Sequence, residues 1–398
     1  MNVPVDGTVA PGFEGVRAAF EEGFRERGEV GAALVVHLHG ETVVDLWGGH
    51  ADVAREHPLP EGSLHVVFSA TKGLVSAVAL VLAQRGVVDL DAPVSRWWPE
   101  LRAAQGSRLS LRHLLSHQAG LPVVDATLTL DEVLAWEPVI HALEQQEPRW
   151  ALGAGHGYHA MTFGWLVGEV LRRATGQTIG ELVRVELAEP LGIDVWIGSP
   201  DDVCSRVHPV LPPDPPSPAE LAVLVAALGP TTDRGRSLSL NGLLPMPAYG
   251  RPEVLRAEIP SANGVASARG LSRFYAALVG AVEGVDAPLL TASSLEAATT
   301  ATVAGEDRVL SGERRVDTTF GAGFALGSDV APWGRTGSFG HPGAAGALGF
   351  ADPAVGLALG YIPNRAGPVR LDVMGDARGI ALARATYQVL DDLRTEVH

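Results

Sequence analysis

The sequence predicts a mixed α/β fold (α+β), in which helices flank an antiparallel sheet and an all-helical lobe is inserted into the chain. Three observations predict it. The first part of the 398-residue chain has a helical pattern followed by two runs of β-forming residues. The last part has several short β-rich runs joined by turns, and then another helix. The region between them is mostly helical, so both ends of the chain are expected to build one sheet.

This pattern predicts two domains. Residues 1–68 and 262–398 are expected to form the sheet domain. Residues 69–261 are expected to form a mainly helical domain with loops rich in Pro and Gly. An active site is predicted at the interface between the two.

The first helix is predicted over residues 12–27, because apolar side chains recur there every three to four positions. These side chains are Phe13, Val16, Phe20 and Phe24. Two strands follow over residues 31–37 and 42–47, and the short segment between them predicts a hairpin. A loop over residues 56–63 leads to the helical part of the chain.

The helical part is predicted from apolar runs and capping residues, such as the N-cap Ser110 and the helix-ending Gly176. The predicted helices cover residues 69–82, 109–117, 130–146, 163–174, 179–187 and 268–278. Two stretches dense in Pro and Gly, 207–218 and 228–262, are predicted as loops that could form a lid or a pocket wall.

The last part of the chain is predicted as a meander of antiparallel strands closed by a helix. The predicted strands cover residues 320–326, 338–341, 345–352 and 355–362, and the final helix covers residues 374–393.

The functional prediction starts from Ser69-Ala70-Thr71-Lys72, a Ser-x-x-Lys pattern just before the apolar run 74–82. In a helix that begins near Ser69, the side chains of Ser69 and Lys72 lie on one face, one turn apart. An amine beside a hydroxyl can hold or take its proton, and the helix dipole adds a positive field. The pattern therefore predicts an activated serine nucleophile.

Composition strengthens this prediction, because Lys72 is the only lysine in the chain. Of the 30 Lys and Arg residues, the other 29 are Arg. A desolvated lysine can lose its proton, whereas a guanidinium stays charged, so proton transfer explains why this position keeps Lys. The alternative is an N-cap serine with an incidental lysine one turn later.

Composition also excludes several classes of function. A formal net charge of −16 at pH 7 disfavours nucleic acid and anionic membranes as partners, because phosphates bind basic patches. No apolar run reaches membrane-spanning length, and no signal-peptide pattern is seen, so a cytoplasmic location is expected. The single cysteine, Cys204, lies in an acidic, irregular stretch and is predicted to be an inert thiol rather than a nucleophile.

Two further patterns allow more than one interpretation. His113 and His117 have a spacing that could bind zinc, but the acidic neighbour of a metalloprotease helix is missing. Structural histidines are predicted, and neither a metal nor a cofactor is expected. Tyr158 follows a glycine-rich turn at the head of a helix, where its phenol could lie in a cleft. The alternative is an ordinary core tyrosine whose hydroxyl finds a partner.

Three motifs occur in order along the chain: Ser69-Ala70-Thr71-Lys72, Tyr158-His159-Ala160 and His341-Pro342-Gly343. Together they resemble the serine β-lactamase and penicillin-binding-protein superfamily, and most of all its class C-like branch, the family VIII carboxylesterases. The resemblance covers nearly the whole chain and implies a β-lactamase/transpeptidase-like fold. It is specific for fold and nucleophile, and it leaves the substrate open.

The resemblance implies a role for each matching residue. Ser69 is the acylated nucleophile, and Lys72 assists its deprotonation. Tyr158 relays a proton to the leaving group and assists deacylation. The oxyanion hole is implied at the backbone N–H groups of Ser69 and Ala344.

Two motifs depart from the β-lactamase pattern. The tyrosine motif ends in Ala160 instead of Asn, and His341-Pro342-Gly343 replaces the substrate-binding Lys-Thr-Gly triplet. His341 can be neutral at pH 7 and Pro342 has no hydroxyl, so these residues are not expected to bind a carboxylate. A small or medium uncharged acyl ester, or an acyl donor of that kind, is the predicted small-molecule partner.

Four functions fit these residues. A carboxylesterase that uses a Ser69 acyl-enzyme is predicted. The same acyl-enzyme could serve an acyltransferase of specialised metabolism, or a weak β-lactamase or D,D-peptidase. A non-catalytic binding protein is the fourth, and it predicts a damaged nucleophile site. The oligomeric state is left open.

Overall fold

Twelve β-strands occur in the computed structural model, which describes residues 3–396. They are β1 (Val5–Val9), β2 (Gly31–Leu38), β3 (Glu41–Gly49), β4 (His65–Val66), β5 (Val195–Trp196), β6 (Val265–Ala266), β7 (Val303–Glu306), β8 (Asp317–Phe320), β9 (Ala325–Leu326), β10 (Phe339–Pro342), β11 (Leu348–Asp352) and β12 (Leu357–Pro363).

Nine of these strands form one antiparallel sheet, in the order β1-β3-β2-β12-β11-β10-β9-β8-β7. Within this sheet β2, from the front of the chain, pairs with β12, from the back, and Leu34 lies opposite Tyr361. Both ends of the chain therefore build the same sheet, as predicted. Successive residues of a strand face opposite sides, so Val35 packs in the apolar core on one face and Val36 in the core on the other.

Helices cover both faces of this sheet and fill the chain between its two halves. They are α1 (Glu14–Glu26), α2 (Thr71–Gln84), α3 (Leu111–Leu115), α4 (Leu130–Leu134), α5 (Glu137–Gln145), α6 (Thr162–Thr175), α7 (Ile179–Val183), α8 (Glu189–Leu191), α9 (Asp201–Cys204), α10 (Pro218–Leu228), α11 (Asp233–Ser239), α12 (Pro252–Arg256), α13 (Ala268–Val279), α14 (Ala292–Thr299) and α15 (Ala377–Glu396). Among these described residues, no helix is both long enough and apolar enough to cross a bilayer.

The helices are divided between the two faces. α13 packs on one face of the sheet, whereas α1 and α15 pack together on the other. α13 lies close to the sheet because two strand residues are glycines: a Cβ on Gly349 would meet the Tyr275 ring at 2.4 Å, and one on Gly360 would meet the α13 backbone at 2.6 Å. Helices α2 to α12 all lie in the chain between β4 and β6. The proposed domain boundaries at residues 69 and 261 stay a prediction.

α2 is the central helix, and most of its length is buried. It follows a short 3₁₀ turn that contains Ser69. The backbone of Phe68 in this turn is left-handed, with φ 47°, a conformation that residues other than glycine rarely adopt. Gly264 holds the turn, because its carbonyl accepts the Val67 N–H at 2.8 Å and its own N–H donates to Thr71 Oγ1 at 2.9 Å.

Two predicted elements are broken in the structure. The helix predicted over residues 130–146 is two helices, α4 and α5, because Pro138 lies in the first turn of α5 and cannot extend a helix that began before it. The chain turns at Trp136, whose φ is 67°. The strand predicted over residues 320–326 is split into β8 and β9. The chain bends at Gly323, where a Cβ would meet Ser76 Oγ at 2.1 Å.

Other predictions were incomplete. β4, β6 and β5 form a separate three-stranded antiparallel sheet, whereas one sheet was predicted, because strands of two residues leave no alternating pattern. Strands β1 and β7 and helix α14 were not predicted. α3 ends at Leu115, two residues before the predicted end, and the predicted loop 228–262 contains α11 and α12. Cys204 lies in the short helix α9 rather than in an irregular stretch.

Candidate active site

Ser69 and Lys72 lie side by side at the start of α2. Ser69 is in the 3₁₀ turn before the helix and is partly buried, and Lys72 is in the first turn of α2 and is fully buried. The distance from Lys72 Nζ to Ser69 Oγ is 3.2 Å. The spacing of the Ser-x-x-Lys pattern therefore places the amine within hydrogen-bond reach of the hydroxyl.

The amine of Lys72 also contacts two backbone carbonyls. Its Nζ donates to the carbonyl of Ala160 at 2.7 Å and to that of Ser261 at 3.0 Å. Burial lowers the pKa of Lys72 well below its ordinary value of 10.5. A neutral amine has two N–H groups and one lone pair. Because the carbonyls can only accept, an amine that has lost its proton gives them both N–H groups, and its lone pair then faces the hydroxyl of Ser69.

Tyr158 also contacts Ser69. Its hydroxyl donates to Ser69 Oγ at 2.9 Å, and its ring centroid lies 4.9 Å from Lys72 Nζ. Tyr158 is buried, and burial, which outweighs the hydrogen bond to Ser69, raises the pKa of its phenol. The phenol therefore keeps its proton and can donate it. Ser69 Oγ thus lies between an amine whose pKa is lowered and a phenol whose pKa is raised.

His341 lies on β10 beside Tyr158, and the two rings stack with centroids 5.8 Å apart. Its Nδ1–H donates to the carbonyl of Pro342 at 2.8 Å, so Nε2 carries the lone pair. Nε2 is 3.5 Å from the hydroxyl of Tyr158. Burial lowers the pKa of His341 to about 3, so the ring is neutral.

The rest of the triplet forms the end of β10, which packs against the turn that holds Ser69. A Cβ on Gly343 would meet the carbonyl oxygen of Val67 at 2.1 Å, so this contact requires glycine. Ala344 is exposed in the hairpin turn that follows, which the Gly343 N–H closes by donating to the carbonyl of Ala347 at 2.7 Å. The roles assigned to Pro342, Gly343 and Ala344 stay predictions.

Two residues that hydrogen-bond to the backbone of the Tyr158 segment could not be predicted from any local sequence pattern. Ser237 on α11 accepts the N–H of Ala160 at 3.1 Å and donates to the carbonyl of Tyr158 at 3.3 Å. Asp307, which follows β7, accepts the N–H of Tyr158 at 3.1 Å. Both contacts join residues far apart in the chain, so neither periodicity nor a short motif could reveal them.

The other candidate residues from the sequence, His113, His117 and Cys204, each have different neighbours. His113 Nδ1 bonds to Ser110 in the N-terminal cap of α3, with the hydroxyl oxygen at 2.8 Å. His117 lies behind Tyr158, with ring centroids 5.1 Å apart, and its Nδ1 accepts the N–H of His159 at 3.2 Å. The thiol of Cys204 is half-buried and donates to the carbonyl of Ser199 at 3.3 Å.

The fold and the Ser69 site together indicate the class of protein to which this chain belongs. The chain belongs to the beta-lactamase family, whose model matches residues 16–384. It is 36% identical over 371 residues to the esterase/beta-lactamase LipL of Mycobacterium tuberculosis, an alignment that spans 91% of this chain and 83% of LipL.

Two solved structures share the fold over nearly the whole chain. A family VIII carboxylesterase has a TM-score of 0.85 at 32% identity and covers 97% of this chain and 100% of its own. EstA from Arthrobacter nitroguajacolicus Rue61a also has a TM-score of 0.85 at 32% identity, and it covers 98% of this chain and 99% of its own.

Proposed function

We propose that this chain is a serine carboxylesterase that hydrolyses small or medium acyl esters through an acyl-enzyme on Ser69. The observation that carries the proposal is the position of Ser69 Oγ, 3.2 Å from the buried amine of Lys72 and 2.9 Å from the buried phenol of Tyr158. One group can accept the proton of the nucleophile and the other can donate one to the leaving group. The names of LipL, the family VIII carboxylesterase and EstA support an ester substrate.

Acylation begins when Ser69 Oγ attacks the carbonyl carbon of the ester and its proton passes to the lone pair of Lys72. The negative charge that develops on the carbonyl oxygen is assigned to the backbone N–H groups of Ser69 and Ala344. The bond from the carbonyl carbon to the alkoxy oxygen then breaks, and Tyr158 supplies the proton with which the alcohol leaves. The proton held by Lys72 returns to Tyr158, which leaves an acyl ester on Ser69.

Deacylation uses the same groups in the reverse sense. A water molecule attacks the acyl carbonyl while Tyr158 and Lys72 together take its proton. The bond to Ser69 Oγ breaks, Ser69 regains a proton, and the carboxylic acid leaves. Hydrolysis and acyl transfer therefore differ only in whether water or another alcohol attacks the acyl-enzyme.

The chemistry of the triplet supports an uncharged substrate. Burial keeps His341 neutral, and Pro342 has no hydroxyl, so neither side chain resembles the cation and hydroxyl of Lys-Thr-Gly. A penicillin or a D-amino acid terminus would have to bring its carboxylate there without a partner charge. An acyl ester brings no such charge.

Hydrolysis of p-nitrophenyl butyrate by the wild type, Ser69→Ala and Ser76→Ala tests the proposal. Ser76 is a buried serine on α2, two turns after Ser69, and its hydroxyl bonds to the backbone carbonyls of Lys72 and Gly323, so it is a matched control. Ser69→Ala is expected to lose activity by at least about 1000-fold, whereas Ser76→Ala remains active. Retained activity in Ser69→Ala would refute the proposal. Added alcohol that yields mainly a new ester would instead favour a transferase.

A further inference from the structure

Asp307 is a buried carboxylate whose surroundings the mechanism above does not use. It follows β7 directly, and none of its surface is exposed. Within residues 3–396 it forms no ion pair with Lys or Arg. A buried charge without a counter-ion is stable only when hydrogen bonds surround it, so its donors are informative.

Four neutral donors surround this carboxylate. The N–H of Tyr158 lies 3.1 Å from each of the two carboxylate oxygens. The N–H groups of Val309 and Leu310 donate to Oδ1 at 2.9 and 2.8 Å, and the hydroxyl of Thr318 donates to Oδ2 at 3.0 Å. One of the four donors is therefore the backbone of the residue whose phenol contacts Ser69.

A second hydrogen bond of Thr318, to His156, shows which group donates to which. Because the hydroxyl of Thr318 donates to Asp307, its oxygen is free to accept from His156 Nε2, which lies 2.8 Å away. His156 is two residues before Tyr158, and it also pairs with Asp307 through the backbone. The carboxylate is thus tied to the segment that carries Tyr158 at two points.

Tyr158 depends on such contacts because no helix or strand holds it. It lies in an irregular segment that ends where α6 begins at Thr162. Its carbonyl accepts the N–H of Ala160, two residues later, at 3.0 Å and the hydroxyl of Ser237 at 3.3 Å. Its N–H is held by Asp307, which is 149 positions away in the chain.

We propose that Asp307 is a positioning residue for the proposed reaction, because its carboxylate holds the backbone of Tyr158 so that the phenol meets Ser69 Oγ. The inference rests on the proposed function, since it assigns no chemistry of its own to Asp307. The negative charge behind Tyr158 also disfavours a phenolate, which keeps the phenol as a proton donor.

Asp307→Asn is the variant that tests this role. The carboxamide has nearly the same volume, but its amino group must face a donor, so one of the four hydrogen bonds is lost and the charge with it. With p-nitrophenyl butyrate, kcat is expected to fall about 10- to 100-fold, because small displacements of a reacting group are costly, while KM changes by less than about 3-fold. Labelling of Ser69 by a fluorophosphonate is expected to slow to a similar extent.

Asp352→Asn is the matched control. Asp352 is also a buried carboxylate on the sheet, but it accepts from the hydroxyl of Tyr387 at 2.8 Å and from the N–H of Ala354 at 3.0 Å, away from Tyr158. We expect this variant to lose thermal stability without losing kcat. Equal losses of kcat per folded molecule in the two variants, or unchanged kcat in Asp307→Asn, would overturn the inference.

Thr318→Val is a second test of the inference, to be used if Asp307→Asn does not fold. It keeps the carboxylate but removes one donor and the link to His156, so labelling of Ser69 is expected to slow about 2- to 10-fold. Unchanged labelling in this variant would also overturn the inference. A wild type that the fluorophosphonate does not label would refute the proposed function itself, which separates the two failures.

Discussion

Lys72 is a residue whose burial lowers the stability of the folded protein. Its amine is fully buried and contacts only carbonyls and a hydroxyl, so burial lowers its pKa well below 10.5. The unfolded chain binds a proton that the folded protein does not. Lys72 therefore destabilises the fold at neutral pH, and this penalty shrinks as the pH rises toward 10.5.

The variant Lys72→Met removes this penalty while keeping a side chain of similar length. The free energy of unfolding of Lys72→Met minus that of the wild type is expected to be larger at pH 7 than at pH 10. Urea unfolding of both proteins at the two pH values measures it, and the unpaired carbonyls left in the variant add only a constant offset. A difference that does not change between pH 7 and pH 10 would contradict a lowered pKa for Lys72.

His341 is expected to support Tyr158 as a neutral ring rather than to supply a charge. Its Nε2 lies 3.5 Å from the hydroxyl of Tyr158, which donates its proton to Ser69 Oγ, so Nε2 is an alternative acceptor for that proton. His341→Phe keeps a ring stacked on Tyr158 but removes this acceptor. We expect kcat for p-nitrophenyl butyrate to fall about 2- to 10-fold, as for the loss of one polar contact of a reacting group. If His341→Phe instead raises KM alone, His341 contacts the substrate and does not orient the phenol.

The residues of the site differ in how far the sequence could predict them. Ser69 and Lys72 were predictable because their spacing fixes their separation within one helix turn. Tyr158 and His341 needed the resemblance, since only the fold brings their segments to α2. Asp307 could not be predicted, because its contact spans 149 positions and depends on burial that no short pattern encodes.

At the scale of elements, the contact between β10 and the turn before α2 depends on a close approach of the two backbones. Gly343 allows it, since a Cβ there would meet the carbonyl oxygen of Val67 at 2.1 Å. Gly343→Ala is expected to displace the end of β10, to lower kcat at least about 10-fold and to cost about 1–3 kcal/mol of stability. Gly312→Ala, where a Cβ would meet nothing within 4 Å, is the matched control. Full activity in Gly343→Ala would show that β10 does not position the site.

Elements were predicted well where one periodicity runs without interruption. α1, β2, β3 and α13 lie within a few residues of their predicted bounds. α1 and β3 each bury one regular face, whereas β2 and α13 are buried on nearly all sides and are continuous runs of residues typical of their element. β1 was missed because its apolar residues alternate with Asp, Gly and Thr and are only half-buried. The break between α4 and α5 was not predicted because the apolar spacing on both sides of Pro138 fits a single helix, although a proline cannot continue one.

At the scale of the whole molecule, the helical segment and the sheet share one apolar core. This core includes Leu74 of α2, Phe163 of α6 and Phe274 of α13, and it continues to the sheet at Val35. A second core, on the other face of the sheet, packs mainly α1 and α15 against the strands. The two predicted domains are thus joined through the first core, and their boundaries at residues 69 and 261 stay a prediction.

Calorimetry tests this reading of the molecule. We expect one cooperative unfolding transition, with a calorimetric enthalpy equal to the van't Hoff enthalpy, because neither part can lose its side of the shared core alone. Two separated transitions would contradict the shared core. The cytoplasmic compartment stays a prediction.

The central claim is that Ser69 becomes acylated during ester turnover. Intact mass spectrometry of the protein, quenched in acid during turnover of p-nitrophenyl butyrate, tests it most directly. A butyryl adduct that maps to the peptide containing Ser69, and that is absent from Ser69→Ala, is the predicted result. Turnover without an adduct on Ser69, or with an adduct on another residue, would contradict the account.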